Sequence, residues 1–221
     1  LHDRITMADL QTKDTRRGTG RPTDVAEGEV RARIISEAAR IFSESGYSGA
    51  SIQDIVDAAG TTKPMVYYYF ENKEGLYQEI FRTFHDFLNR AQEEILGRQD
   101  LSTRDKLVML VDVHFQAART APEQARFMFA AHFGPRREMP AVKDPEHEDA
   151  FFGTLVALAK EGIAGGELEG DPVMIAQALL GQILIHLTFH IAAPNQIPLA
   201  EDAADRVVDQ LLTGVGKTKG V

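Results

Sequence analysis

The fold of this chain is decided by residues 51–76, which read SIQDIVDAAGTTKPMVYYYFENKEGL. Ser51 can cap a helix, and Asp54 is placed to bond back to the cap amide. Apolar residues follow at helical spacing until Gly60, because glycine takes the left-handed conformation that ends a helix at little cost. A threonine pair can cap a second helix, with Pro64 in its first turn. The stretch therefore predicts two short helices joined by a tight turn.

The second of these helices predicts an aromatic outer face. It runs for roughly two turns, and its buried side needs only Val66 with Tyr69 or Phe70. The side chains predicted to face outward are Lys63, Met65, Tyr67 and Tyr68. Such a pair of helices is typical of a helix-turn-helix, whose second helix lies in the major groove of DNA. A helical hairpin within an all-helical core is the alternative, but it explains three consecutive tyrosines poorly.

Residues 30–76 resemble the DNA-binding domain of the TetR family of transcriptional regulators. The residues that carry the resemblance are Ile34, Ala38, Phe42, Gly46, Tyr47, Ser51, Ile52, Ile55, Ala59, Gly60, Val66, Tyr67, Tyr69, Phe70, Lys73 and Leu76. Two positions depart from the family pattern: Pro64 stands where glycine is frequent, and Thr61 where valine is frequent. Pro64 removes an amide that could otherwise touch DNA. Beyond Leu76 the resemblance is architectural.

The resemblance implies an all-α protein with an N-terminal three-helix helix-turn-helix domain and a helical ligand-binding and dimerisation domain. We expect a flexible basic arm over residues 1–27 and the DNA-binding domain over 28–75. The ligand-binding and dimerisation domain is expected over 76–214, and a tail over 215–221.

The predicted DNA-contacting residues are Ser51, Thr62, Lys63, Met65, Tyr67, Tyr68, Lys73 and Arg21. Ser51, Tyr67 and Lys73 are expected on phosphates, since hydroxyl and cationic groups bind phosphate oxygens. Lys73 matches a family position that contacts phosphate, at a helix start that also attracts anions. Arg21 belongs to residues 13–21, where four cations and one acid give a local charge of +3. That segment is either a disordered arm or one that lies in a minor groove.

Composition limits the possible functions. The net charge of −9 argues against a protein that coats nucleic acid indiscriminately, although a local DNA-binding surface remains possible. Residues 91–221 hold 12 Lys and Arg against 19 Asp and Glu, so the acidity lies mostly there. The absence of cysteine excludes disulfides and thiolate chemistry and is compatible with a reducing cytoplasm. No signal peptide is recognisable, and we expect a cytoplasmic protein.

Apolar periodicity predicts helices through the rest of the chain. They cover residues 28–45, 73–97, 124–133, 146–165, 173–193 and 199–213, with one more between Ser102 and Pro122. The helix over 73–97 would span nearly 40 Å and couple a DNA-binding head to a distant body.

Residues 173–193 carry no charge and are apolar on all sides. A membrane span is one explanation, but two glutamines and two histidines lie within the stretch and its flanks lack Lys and Arg. We therefore expect no membrane contact, and a helix with one side on the core and the other on a second subunit. The resemblance implies a homodimer through helices 172–193 and 199–213, paired as a four-helix bundle.

A further set of residues mixes aromatic, apolar and polar side chains, as small-molecule pockets do. These predicted ligand-binding residues are Phe84, Phe87, His114, Phe115, Phe127, Met128, His132, Phe152 and His186. Packing in an ordinary core is the alternative, and the resemblance implies a pocket.

No sequence feature indicates catalysis. His186 and His190 have the spacing of a metal pair but no third ligand at helpful spacing, and Gly216-Lys217-Thr218 lacks the upstream glycine of a phosphate-binding loop. We expect no metal, no cofactor and no enzyme activity. The interpretation is a ligand-responsive regulator, a repressor by analogy, that binds a palindromic operator as a homodimer and is released by a small hydrophobic or aromatic effector. The alternative is a ligand-independent architectural DNA-binding dimer of the same fold.

Overall fold

The computed structural model describes residues 22–134, 139–140, 150–193 and 199–214, and its regular elements there are all α-helices. In chain order they are α1 (Pro22–Gly49), α2 (Ile52–Ala59), α3 (Lys63–Phe70), α4 (Lys73–Gly97), α5 (Thr103–Thr120), α6 (Pro122–Phe133), α7 (Ala150–Ala164), α8 (Pro172–Ala192) and α9 (Ala203–Thr213). The predicted all-α class, with a helix-turn-helix at α2 and α3, is confirmed. Arg21, most of the predicted arm and the predicted tail lie outside the described residues.

Local signals in the sequence place the helix ends of the helix-turn-helix. The Ser51 side chain accepts the Asp54 amide at 3.1 Å while the Asp54 carboxylate accepts the Ser51 amide, which confirms the capping box. Gly60 ends α2 at φ 58°, ψ 46°, as its left-handed freedom predicts. Gly46 interrupts α1 at φ 70°, ψ 169°, where the first helix was expected to end.

Several helix boundaries differ from the prediction. α1 begins at Pro22, ahead of the expected residue 28, and α6 begins at Pro122, which was expected only to end the preceding helix. Both starts have the same reason: proline lacks the amide hydrogen that is unpaired in a first turn anyway, so it favours that position. α9 begins later than expected, at Ala203.

The described chain packs as two compact units. The head unit comprises residues 22–87, 120–134 and 139–140, and the body unit comprises residues 88–119, 150–193 and 199–214. α6 thus belongs to the head unit, because it packs along α1. The expected functional boundary near residue 75 remains a prediction, since packing units need not coincide with functional domains.

An aromatic cluster joins α6 to the rest of the head unit. The Tyr77 ring lies 4.8 Å from that of Phe127 on α6, 5.4 Å from Phe42 on α1 and 5.4 Å from Tyr47. Tyr77 is almost fully buried, and this burial raises the pKa of its hydroxyl to about 12. Edge-to-face rings of this kind add to their burial energy, so the cluster fixes α1, α4 and α6 together.

The body unit is built on α5, which is buried on most of its circumference, and on the packed pair α7 and α8. Polar contacts hold the start of α5. The Glu167 carboxylate accepts the Thr103 amide at 3.0 Å and its hydroxyl at 3.0 Å. Lys106 is buried and pairs with Glu161 at 2.7 Å, as a buried charge requires.

Candidate DNA-contacting surface and effector site

The helix α3 presents the exposed face that its sequence predicts. Val66 and Phe70 are buried, whereas Tyr67 is 48% exposed and Tyr68 is 72% exposed. Thr62 and Lys63 are exposed as well, and Met65 is half-buried. The structure therefore brings five of the predicted DNA-contacting residues together on one short helix and its cap. Their contact with DNA remains a prediction.

A strained turn fixes the end of α3 against the start of α4. Glu71 has φ 64° and ψ −47°, a conformation that side chains with a Cβ rarely adopt. The Asn72 amide donates to the Phe70 carbonyl at 2.7 Å, closing a γ-turn. A Cβ at Gly75 would clash with that same carbonyl oxygen, so only glycine lets α4 approach so closely. No pattern in the sequence predicted this turn.

Lys73, the first residue of α4, is bonded within the head unit. Its Nζ donates to the carbonyls of Tyr47 at 2.7 Å and Ala50 at 2.9 Å, and lies 4.3 Å from the centre of the Tyr47 ring. An ammonium has three hydrogens, and these bonds use two of them. Lys73 therefore ties the start of α4 to the segment that leads into α2.

Ser51, another predicted phosphate contact, also has local partners. Its hydroxyl donates to Asp54 Oδ2 at 2.6 Å, and its amide donates to the same oxygen at 3.3 Å. Both donors of Ser51 are therefore directed at a carboxylate. Of the three residues expected on phosphates, Ser51 and Tyr67 are exposed, the latter by 48%, and Lys73 is half-buried.

Arg31 makes a second contact between helices of the head unit, which no sequence pattern predicted. Its guanidinium on α1 pairs with Glu79 on α4 and lies 5.6 Å from the centre of the Phe70 ring at the end of α3. Burial by itself would raise the pKa of Glu79, but the guanidinium groups of Arg82 and Arg31 outweigh it and hold that pKa below its usual value. The contact holds α1, α3 and α4 in one arrangement.

The predicted ligand-binding residues fall into two groups. Phe84, Phe87, Phe127, Met128 and His132 lie in the head unit, and His114, Phe115, Phe152 and His186 lie in the body unit. In the body unit the His114 ring packs 4.1 Å from Phe151 on α7, and the Phe115 ring lies 5.6 Å from His186 on α8. Phe151 was not among the predicted residues, because its place beside His114 depends on tertiary packing.

The three histidines of this set share one bonding pattern. Nδ1 of His114, His132 and His186 lies 2.8–2.9 Å from the carbonyl four residues earlier on the same helix. Burial lowers the pKa of His114 to about 4 against the weaker opposing effect of that carbonyl, so its imidazole is neutral near pH 7. Within the described ranges, no group of three or more His, Cys, Asp or Glu could hold a metal ion.

α8 has one buried and one exposed apolar face. Ala176, Leu179 and Ile183 are buried, whereas Met174 is 63% exposed and both Ile185 and Phe189 are 46% exposed. In the part of the chain that the structure describes, α8 alone is long and apolar enough to cross a membrane. Apolar area of this extent usually marks an interaction surface.

A helix-turn-helix with an exposed second helix, followed by a helical body, defines a DNA-binding transcriptional regulator. Comparison with known proteins identifies its family. The sequence model of the family described as bacterial regulatory proteins, tetR family, matches residues 34–80. The uncharacterised HTH-type transcriptional regulator YdgC of Bacillus subtilis is 34% identical over 163 residues, which cover 72% of this chain and 80% of that protein. This chain belongs to the TetR family, whose members are transcriptional regulators and not enzymes.

Solved structures agree with the fold. The TetR family regulator PfmR of Thermus thermophilus superposes with a TM-score of 0.69 at 24% identity, covering 84% of this chain and all (100%) of that one. FadR of Bacillus subtilis, solved in complex with stearoyl-CoA, gives a TM-score of 0.65 at 22% identity, with 84% of this chain and 99% of that one covered.

Proposed function

We propose that this protein is a cytoplasmic, ligand-responsive repressor that binds a palindromic operator as a homodimer and leaves it when a small hydrophobic or aromatic effector binds. The DNA-binding part of this proposal is supported by the exposed pair Tyr67 and Tyr68, which lie on a helix fixed by three kinds of contact. α3 is fixed by the Glu71 turn, by Arg31 and by the burial of Val66 and Phe70. A preorganised helix loses little conformational entropy on binding.

The proposed DNA contacts divide by chemistry. Tyr67 places a hydroxyl for a phosphate oxygen, while Thr62, Lys63, Met65 and Tyr68 reach base edges. Arg21, outside the described residues, is proposed to contact the minor groove from the arm. For Ser51 and Lys73 we now favour positioning roles over phosphate contacts, because their donors bond mainly within the head unit.

The proposed dimer uses the exposed face of α8 together with α9. Leaving Met174, Ile185 and Phe189 in water is unfavourable by roughly 25 cal/mol for each Å² of apolar surface, so covering the face with the same face of a second copy stabilises both. Two-fold pairing also presents two copies of α3 to successive half-sites, about 34–36 Å apart. The membrane alternative for α8 would predict vesicle binding in place of a stable dimer.

The proposed mechanism is a population shift. The effector binds better to a conformer whose two heads are not spaced for successive major grooves, and α4 contributes to both units of each chain. A coupling free energy of about 1–3 kcal/mol would change operator affinity about 5- to 150-fold. The neighbour solved with stearoyl-CoA supports an effector with a large apolar part.

The test is a fluorescence-anisotropy titration of the full chain with labelled intergenic DNA beside its gene, repeated at several salt concentrations. Sequence-selective binding with a steep salt slope is expected, since each neutralised phosphate adds about −0.9 to the slope. Tyr67→Phe should weaken binding to all sequences similarly. Tyr68→Phe is the matched control, and it should leave the sequence-independent affinity from phosphate contacts unchanged. If the protein bound the intergenic DNA no more tightly than random DNA, the proposed operator binding would be refuted. A bound effector without any change in operator affinity would favour the architectural alternative.

A further inference from the structure

His114 lies on the buried side of α5 but is not fully covered. Leu110 and Ala118, on the same face, are buried almost completely. His114 nevertheless keeps part of its surface accessible, while it lies deep enough for burial to lower its pKa strongly. The ring lies beside Phe151, with 4.1 Å between the two ring centres.

The hydrogen bond at Nδ1 fixes the tautomer of this ring. A carbonyl oxygen can only accept, so the Nδ1 atom that lies 2.9 Å from Leu110 O must carry the hydrogen. A neutral imidazole then has a lone pair at Nε2, which bonds to no residue that the structure describes. His114 thus offers a bound molecule one hydrogen-bond acceptor and no positive charge.

This acceptor distinguishes between classes of effector. A carboxylate has no proton to donate, and its charge would meet a lone pair in a poorly solvated place, which is unfavourable. A neutral hydroxyl or amide N–H would complete the bond instead. Selectivity of this kind is strong, because a buried polar group without its partner retains its desolvation penalty.

We propose that His114 determines effector specificity by accepting, at Nε2, a hydrogen bond from a neutral O–H or N–H at the buried end of an aromatic effector. The inference rests on the proposed function, and it names the class of effector that the body unit would bind. The rings of Phe151 and Phe115 provide aromatic surroundings: Phe151 packs on His114 itself, and Phe115 packs on His186.

The experiment is isothermal titration calorimetry on the full chain with three probes of similar shape: para-butylphenol, para-butylanisole and para-butylbenzoate. Only the phenol can donate a hydrogen bond near neutral pH, the anisole is its methylated form, and the benzoate is charged. Wild-type protein should bind the phenol at least about tenfold more tightly than either other probe, equivalent to about 1.4 kcal/mol.

Substitutions assign the preference to one atom. His114→Phe keeps a ring but removes the acceptor, and should bind phenol and anisole equally. His114→Gln restores an acceptor and should recover part of the preference for phenol over anisole. This variant tests the proposal even if His114→Phe folds poorly. His190→Phe is the matched control, because His190 is another histidine of the body unit and was not among the predicted ligand-binding residues; it should keep the preference.

Three results would overturn the proposal: benzoate binding as tight as phenol binding, a phenol preference that survives in His114→Phe, or no binding of any probe. Operator affinity, measured on the same preparations, separates this proposal from the function above. Intact operator binding without phenol selectivity would reject only the role of His114. Phenol selectivity that depends on His114, in a protein that does not select its operator, would reject the proposed repressor and leave the ligand site standing.

Discussion

Replacing Lys73 with methionine would decide whether this residue positions the head unit or contacts DNA. Lys73→Met keeps the aliphatic stem and removes the ammonium that bonds to the Tyr47 and Ala50 carbonyls. These bonds join the start of α4 to residues more than twenty positions earlier in the chain. If they hold α2 and α3 in place, the variant should lose stability before it loses any phosphate contact.

The expected loss follows from the three contacts of the ammonium. A hydrogen bond to a charged group contributes about 1.5–3 kcal/mol, and a cation over an aromatic ring about 0.5–1 kcal/mol at exposed sites. Lys73 is half-buried, and the two carbonyls can regain water in the variant, so the lower ends of these ranges apply. The free energy of unfolding should fall by about 3.5 kcal/mol, and Tm by about 7–14 °C for a chain of this size.

The assay combines thermal unfolding with anisotropy titrations at several salt concentrations, at a temperature where the variant is still folded. Lys63→Met is the matched control, because Lys63 is exposed at the start of α3. The control should change stability by less than about 0.5 kcal/mol but reduce the preference for operator over random DNA, because Lys63 is proposed to contact base edges. Lys73→Met should show the opposite pattern, with a lower Tm, an unchanged sequence preference and an unchanged salt slope. An unchanged Tm with a reduced slope would refute the positioning role and restore the phosphate contact.

Further predictions concern the turn after α3, the interface and pH. Glu71→Gly should raise the free energy of unfolding by about 0.5–1 kcal/mol in a denaturant titration. The reason is that relief of roughly 1–2 kcal/mol of strain at a positive φ exceeds the entropic cost of glycine. A loss of stability would contradict the strained turn. Gly75→Ala should destabilise by about 1–3 kcal/mol and weaken operator binding, and unchanged values for both would show that α4 can shift at no cost. Phe189→Glu should convert the dimer to monomer in sedimentation analysis, and a persistent dimer would exclude the α8 face. Lowering the pH from 6.5 to about 4 should cost up to about 3 kcal/mol more stability in the wild type than in His114→Phe, because burial lowers the folded pKa of His114 to about 4 and the unfolded chain binds the proton first. Equal losses in the two proteins would contradict a neutral, buried imidazole.

The tertiary structure also changes what the DNA-contact prediction means. Tyr67 and Tyr68 are exposed where helical spacing placed them, so the outer face of α3 could be predicted without coordinates. Lys73 could not be assigned in this way. A lysine at a helix start is compatible with phosphate binding, and only the nearby carbonyls show that its ammonium has partners within the head unit.

The predicted effector residues illustrate the same limit for the body of the protein. Composition selected His114, but it could not show that Phe151 packs on the ring, nor that Nε2 has no partner among the described residues. It also grouped His132 with His114, although the two lie in different compact units. Side-chain type identifies candidates for a pocket, while their distribution in space depends on how the helices pack.

The sequence by itself determined the elements whose causes lie within a few residues. The Ser51–Asp54 capping box, the left-handed Gly60 and the first-turn Pro64 fix α2 and α3, because each acts through hydrogen bonds or dihedral preferences of near neighbours. Tertiary structure alone decided that Lys73 faces inward and that α6 packs with the head unit. These features depend on partners far apart in the chain, which no local pattern specifies, and they are selected by the burial and pairing of the whole fold.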